Sequence, residues 1–268
     1  MRKAIISLLL AIFICQFVTG SAQNTSPTVF HVVNYMKATP GMEEDYIKVE
    51  KLWKRIHEAK KKAGMIDSWE FFRVVSPAGA NSEFNFITRN TYVGEEKLAD
   101  FYEKSFYPDN VESLFNAEEM ALINRTGELR TIVKEEVWAV TDAIFAKEMS
   151  DATVTVLNYF DFPEGKTSAD HVKVETDIWK PVHQARINDG KLKGWVLMQQ
   201  WFPFGADMPY QDATVDLYKD MRQYFKPFFQ EYMAKVHPGK NVNDLMKATT
   251  AAATLKKGIV MMRLEIMN

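Results

Sequence analysis

The sequence predicts an α+β protein in which one β-α-β-β-α-β unit is written twice and the two sheets pack against each other. Three observations carry that expectation. Lys48 to Trp69 reads KVEKLWKRIHEAKKKAGMIDSW, and Lys173 to Trp195 reads KVETDIWKPVHQARINDGKLKGW. From Trp53 onward the two align without a gap, Trp53 with Trp179, His57 with His183, Gly64 with Gly190 and Trp69 with Trp195, and the register continues through Pro77/Pro203, Thr88/Thr214 and Tyr92/Tyr218. An internal repeat of this length takes precedence over element-by-element reading. The order of strand-like and helix-like runs is the same in both copies. Each sheet, covered by helices on one face only, would also leave an apolar face in need of a partner.

The elements follow in order. Thr28 to Lys37 is a β-rich run, apolar on both parities, as expected of a strand covered on both faces. Thr39-Pro40-Gly41 breaks it. Glu43 to Ala63 is a helix: Tyr46, Val49, Trp53, Ile56 and Ala63 recur at helical spacing, acids load the first turn, lysines load the last, and Gly64 ends it. Strands at Ile66–Val75 and Phe84–Tyr92 flank a Pro77-Ala-Gly79 turn. Helices at Glu95–Phe106 and Val111–Asn124 are split by Pro108, and a strand at Leu129–Val140 closes the unit over residues 28–140. Thr141 to Ala152 reads as the connection between units.

The second unit, residues 153–268, repeats the plan. It has a strand at Thr153–Phe162, a Pro163-Glu164-Gly165 turn and a helix at Ser168–Ile187 that Pro181 would kink or restart. Strands at Leu192–Phe202 and Tyr210–Tyr218, helices at Lys219–Lys235 and Val242–Thr254, and a last strand at Ile259–Ile266 complete it. This is the ferredoxin-like order, twice.

The chain has 268 residues, 47% apolar and 13% aromatic, enough to bury a core in each of two units. Residues 1–22 read as a signal peptide: Arg2 and Lys3, an apolar run over Ala4 to Val18, and small Gly20-Ser21-Ala22 at the cleavage site. Cleavage removes Cys15, the sole cysteine, so the exported product has neither disulfide nor thiol nucleophile. It also leaves the chain more acidic than its formal −2, without a basic stripe to recommend nucleic acid or anionic lipid. The expected setting is a periplasm or the medium, with no membrane contact after cleavage, a small-molecule partner, and homo-oligomerisation left open.

The strand ending in a Pro-Gly turn (Thr39-Pro40-Gly41; Pro163-Glu164-Gly165), the long helix ending in Gly, the paired hairpin and the second helix resemble the dimeric α+β barrel superfamily. Within it, the chain is most similar to antibiotic-biosynthesis monooxygenase-like and NIPSNAP-like modules, once per repeat. The resemblance implies a barrel of two ferredoxin-like units, here supplied by one chain, with a cavity between sheet and helices. It implies no single activity. The superfamily includes cofactor-free monooxygenases, haem-binding and haem-degrading enzymes, small-ligand isomerases and proteins without known activity, and fold does not choose among them.

The candidate site residues are those that stand at matched positions in the two copies, the same residue in each except for Arg73 and Gln199. Trp53 with His57, and Trp179 with His183, stand at i,i+4 and share a helix face, so an indole and an imidazole can border one cavity. The alternative is that the indole anchors the helix and the histidine satisfies backbone at its edge. Asn34 and Asn158 interrupt apolar first strands, and a buried amide needs partners. The resemblance implies that such an Asn touches the ligand; a purely structural amide is the other reading. Catalytic roles are therefore expected of His57, His183, Asn34 and Asn158, and ligand contact of Trp53, Trp179, Trp69, Trp195, Arg73 and Gln199. Arg73 is there to hold an anion, or else sits in water at the rim. His31, His171 and His237 are scattered, and no HxxxH, HExxH, GxSxG or phosphate loop occurs. No metal and no cofactor is expected, with haem as the one cofactor left open. The function read from this is an exported binder of a small apolar or aromatic ligand. Alternatives are a cofactor-independent monooxygenase or isomerase on an aromatic substrate, a haem-binding protein, and a non-catalytic scaffold.

Overall fold

The computed structural model describes residues 26–268 apart from 80, 105, 106, 110, 206, 227 and 228, so the expected signal peptide lies outside the described residues. The first half runs β1 (Val29–Ala38), α1 (Glu43–Lys62), β2 (Ser68–Ser76), β3 (Phe86–Val93), α2 (Glu95–Glu103), a 3₁₀ turn at Val111–Leu114, α3 (Ala117–Asn124), the single turn α4 (Thr126–Leu129) and β4 (Arg130–Phe145). The second half runs β5 (Val154–Asp161), α5 (Ser168–Val174), a π turn at Glu175–Trp179, α6 (Lys180–Asn188), β6 (Gly194–Phe202), β7 (Asp212–Tyr218), the short α7 (Met221–Tyr224), α8 (Phe229–Val236), α9 (Val242–Ala252) and β8 (Thr254–Met267).

α1 has the charge placement expected of it, with Glu43, Glu44 and Asp45 in the first turn and Lys60, Lys61 and Lys62 in the last. Gly64, at φ +75°, then turns the chain out through a conformation that side chains disfavour. The single helix expected over Val111–Asn124 is broken instead. Asn116 caps α3, accepting from Glu119 N while the Glu119 carboxylate accepts from Asn116 N, and this reciprocal cap fixes a new start. The helix expected over Lys219–Lys235 likewise divides into α7 and α8. β4 is longer than predicted and runs to Phe145, through the first residues of the expected connection, because it has a second strand to pair with. Asp142, Ala143, Ile144 and Phe145 face Leu197, Val196, Trp195 and Gly194 of β6.

Among the described residues, eight antiparallel strands close into a barrel in the order β1-β3-β2-β8-β5-β7-β6-β4. The two halves thus meet along two hydrogen-bonded seams, β2 with β8 and β4 with β6, and no strand edge is left unpaired. Inside the ring, Val33, Tyr35, Phe72, Val74, Leu157, Tyr159, Val196, Met198, Ile259 and Met261 form one core drawn from both halves. A polar knot sits in it. The Glu136 carboxylate accepts from Tyr35 Oη at 2.7 Å, Tyr210 Oη at 2.6 Å, Trp138 Nε1 at 3.2 Å and Lys134 Nζ at 2.9 Å, so the buried charge is fully satisfied. These side chains pack the middle of the barrel, and a cavity of about 460 Å³ bordered by Lys134, Glu136 and Tyr210 opens beside the knot.

The outer face carries the helices. α1 packs Tyr46, Val49 and Ile56 onto Trp69, Phe71 and Phe86; on the other half Ile178, Val182, Met233 and Leu245 pack together between helices. The helix expected over Ser168–Ile187 is one helix with a widened turn. Between its Glu and its Trp the second copy has one residue more than the first, Glu175-Thr-Asp-Ile-Trp179 against Glu50-Lys-Leu-Trp53. The π turn over Glu175–Trp179 accommodates it. Pro181, just inside α6, can donate no backbone hydrogen bond back into that turn. No helix of the described residues is long and apolar enough to cross a membrane.

Candidate functional site

Side chains alternate along each strand, so Asn34, Trp69, Phe71, Thr88 and Asn90 all leave the barrel on the helix side while Val33, Tyr35 and Phe72 point inward. The helix above β1–β3 adds Trp53 and His57. Between them lies a cavity of about 150 Å³, lined by Asn34, Glu50, Trp53, His57, Trp69 and Asn90 among others. The second half has its counterpart, about 470 Å³, and its walls include Asn158, Trp179, His183, Arg186, Thr214 and Asp216. Only the second falls in the range of roughly 300–1,000 Å³ typical of small-molecule sites. One cause of the difference is visible where the last strand of each half begins: the first cavity is occupied in part by Arg130, and at the matched place the second has Ala253.

Each predicted residue can now be placed. His57 lies against Trp69 with ring centroids 5.0 Å apart and planes at 16°, and Trp53 is 6.4 Å away. His183 lies against Trp195 at 5.6 Å and 15°, with Trp179 at 5.9 Å and 27°. Both imidazoles are buried, and burial, reinforced by Lys60 beside His57 and Arg186 beside His183, holds both well below the usual histidine range. They are neutral at neutral pH. Trp53 Nε1 donates to Thr126 Oγ1 and Trp179 Nε1 to Thr249 Oγ1, each at 3.0 Å, so each indole is tied to the later helix of its own half. Asn34 is buried opposite Thr88; Asn158 donates through Nδ2 to Thr214 Oγ1 at 3.3 Å. In each half, then, Asn, Trp and His do line one cavity.

Arg73 and Gln199 do not join them. Arg73 has the parity of Trp69 but lies beyond the end of the cavity, exposed, with its guanidinium 5.7 Å from the Phe86 ring. Gln199 donates to Ser168 Oγ, and Ser168 in turn donates to Asp212 at 2.8 Å; it braces the start of α5.

Periodicity alone does not mark the acids and the arginine of the second cavity. Glu175, Arg186 and Asp216 line the larger cavity, and the repeat register pairs Arg186 with Lys60 and Asp216 with Asn90, a pairing that marks where the copies differ in charge. Arg186 Nη1 stands 3.2 Å from His183 Nδ1. Arginine can only donate, so Nδ1 accepts and the imidazole proton sits on Nε2. Burial raises Asp216 to about 6 and also raises Glu175. Behind Glu175 lies His171, wholly buried, 3.4 Å from Glu175 Oε1 and 2.9 Å from Asp212 Oδ2; burial opposes its charge, yet the two carboxylates raise it to about 9. Among the described residues no group of histidine, cysteine and acidic side chains is arranged to hold a metal.

A haem, which would supply redox chemistry, would look to His57 or His183 for a ligand; each imidazole lies against two indoles, and His183 Nδ1 is engaged by Arg186.

No family profile matches the sequence, and no curated protein does either. Solved structures do match. A "putative monooxygenase" from Lactobacillus acidophilus NCFM is 11% identical, with 90% of this chain and 95% of that one covered and a TM-score of 0.54. A protein of the same description from Fusobacterium nucleatum is 14% identical over 91% of this chain and 95% of its own, also at 0.54. A mutant chlorite dismutase from Candidatus Nitrospira defluvii is 9% identical over 90% and 93%, at 0.50. Likeness at these identities is likeness of fold alone, an α+β fold whose eight antiparallel strands close into a barrel.

Proposed function

We propose that the chain is an exported protein, two tandem ferredoxin-like repeats closed into one barrel, whose second half binds a small, flat, largely aromatic molecule between sheet and helices. The observation that carries the binding reading is the cavity of about 470 Å³, walled by Phe160, Trp179, Tyr224, Met246 and Leu255, with its few polar groups gathered around Asn158 and His183. Apolar walls with a small polar cluster are how such sites combine affinity with orientation. The tandem reading is supported by the recurrence of the His–Trp ring stack, the indole-to-threonine bond and an Asn paired opposite a Thr at matched positions in both halves.

Calorimetric titration with 4-nitroanisole, a neutral aromatic probe, tests the binding reading. Wild type is expected to bind it. Ala253→Arg, which gives the second cavity the residue type the first has at Arg130, is expected to abolish binding while leaving the circular dichroism unchanged. Equal binding by both proteins would sink the assignment of this cavity. Native mass spectrometry of protein taken from its own cell envelope would show the physiological occupant.

A second reading, a cofactor-independent monooxygenase, is favoured by the meeting of Asn158 and His183 in one cavity and by what two structures of this fold are named. In that reading Asn158 orients the substrate and His183, proton on Nε2, donates to it. Oxygen uptake with an electron-rich phenol, abolished in Asn158→Ala, is the expected sign.

A further inference from the structure

The two cavities share their Asn, Trp and His frame and differ in charge. In the repeat register Arg186 and Asp216 of the second half match Lys60 and Asn90 of the first. Asn90 lines the first cavity and is uncharged, whereas Lys60, lowered to about 8 by burial, borders a separate small cavity with Lys97 and Lys104 instead.

Arg186 is 8% exposed and borders the larger cavity. Its side-chain hydrogen bonds run to neutral acceptors, His183 Nδ1 at 3.2 Å and Tyr218 Oη at 3.2 Å, and none of the ion pairs among the described residues includes it. A guanidinium removed from water and turned to a cavity, with donors to spare, is a receiver for an oxyanion.

Asp216 borders the same cavity from β7, its side chain 15% exposed. One of its oxygens, Oδ1, is buried without a hydrogen-bond partner and lies 3.7 Å from His183 Nδ1, too far to bond and facing a nitrogen that already accepts from Arg186. The other ionisable groups here are committed elsewhere. Glu175 pairs with His171 at 3.4 Å, Tyr218 is held neutral by burial, and His183 is neutral. Burial, with Glu175 adding to it and Arg186 and Asn158 opposing it, brings Asp216 to about 6, where a carboxylate can both take and return a proton.

We propose that the larger cavity selects aromatic molecules bearing an acidic O–H, a phenol or an enol, and holds them as the oxyanion, with Asp216 accepting the proton and Arg186 facing the oxygen. The ligand O–H bond breaks, its electron pair stays on the ligand oxygen, and the proton forms a new O–H on the Asp216 carboxylate; nothing is oxidised or reduced. The proposal rests on the reading that this cavity binds an aromatic molecule, and it adds the class of that molecule.

The test compares 4-nitrophenol, whose neutral and ionised forms absorb at different wavelengths, with its methyl ether 4-nitroanisole, at a pH about one unit below the phenol's own pKa. Bound 4-nitrophenol is expected to show the phenolate band and to bind more tightly than the ether. Arg186→Met is expected to remove the band and weaken 4-nitrophenol about ten- to hundredfold, the scale of one hydrogen bond to a charged group, with 4-nitroanisole unchanged. Arg186→Lys, the residue type at the matched place of the first half, serves if the methionine variant loses its native circular dichroism. In Asp216→Asn, phenolate binding is expected to release a proton to the buffer that wild type retains, read by calorimetry in two buffers of different ionisation enthalpy. If 4-nitrophenol binds in its neutral form, or no better than the ether, the proposal fails while the cavity assignment stands. If neither probe binds, both fail together.

Discussion

At the scale of single residues, the centre of charge in the second half is His171, which no motif announces. Its ring is wedged between two buried carboxylates, Asp212 and Glu175, and Asp212 is held further by Ser168. A cation in that place offsets two desolvation costs at once. Removing it leaves both acids without a positive partner, so His171→Phe, close in volume, is expected to lose about 3–5 kcal/mol in urea denaturation. The pH dependence follows from the direction of the shift. The folded-state value of about 9 lies above the ordinary 6.5, so the folded state binds the proton more tightly. The contribution is fully present below about 6.5 and is lost as pH rises through about 9. Wild-type melting temperature should therefore fall across that interval, and the fall should vanish in His171→Phe. A wild-type profile flat from 6.5 to 9 would mean that the imidazole is neutral there.

At the scale of elements, the π turn is where the two halves part. The extra residue that precedes Trp179 widens the helix over the larger cavity, and both ends of the turn, Glu175 and Trp179, are cavity residues. Deleting Thr176 gives this helix the spacing of α1. The deletion is expected to keep the melting temperature within about 5 °C, since a regular helix replaces the bulge, and to weaken 4-nitroanisole binding by about tenfold. Unchanged affinity would separate the turn from the site. The strands, the long helix α1 and the meeting of Asn34 with His57 and of Asn158 with His183 are legible in the sequence because periodicity and a constant register fix faces, whereas the breaks at Asn116 and between α7 and α8 are not. Arg73 and Gln199 have the parity expected of them yet fall past the cavity's end, since parity gives a side and not a depth. Asp216 and Arg186 were hidden for a different reason. A charged residue in an amphipathic run reads as solvent-facing until the element that covers it is known.

At the scale of the whole molecule, the seams decide what kind of object this is. Within the first half the strands run β4-β1-β3-β2, and its two outer strands complete their hydrogen bonding only through β6 and β8 of the second. Residues 26–145 alone would expose both of those edges and the inner apolar side chains Val33, Tyr35, Phe72 and Val74. Such edges are templates for another chain. If the halves are repeats, β6 stands where a second copy's β2 would stand and β8 where its β4 would. Two copies of the fragment can then close both seams about a twofold axis, with β2 of each against β4 of the other. Sedimentation of the fragment is expected to show a dimer with native-like far-ultraviolet circular dichroism and little binding of hydrophobic dye. A well-folded monomer would mean that one half satisfies its own edges, which the register of the closed ring does not allow.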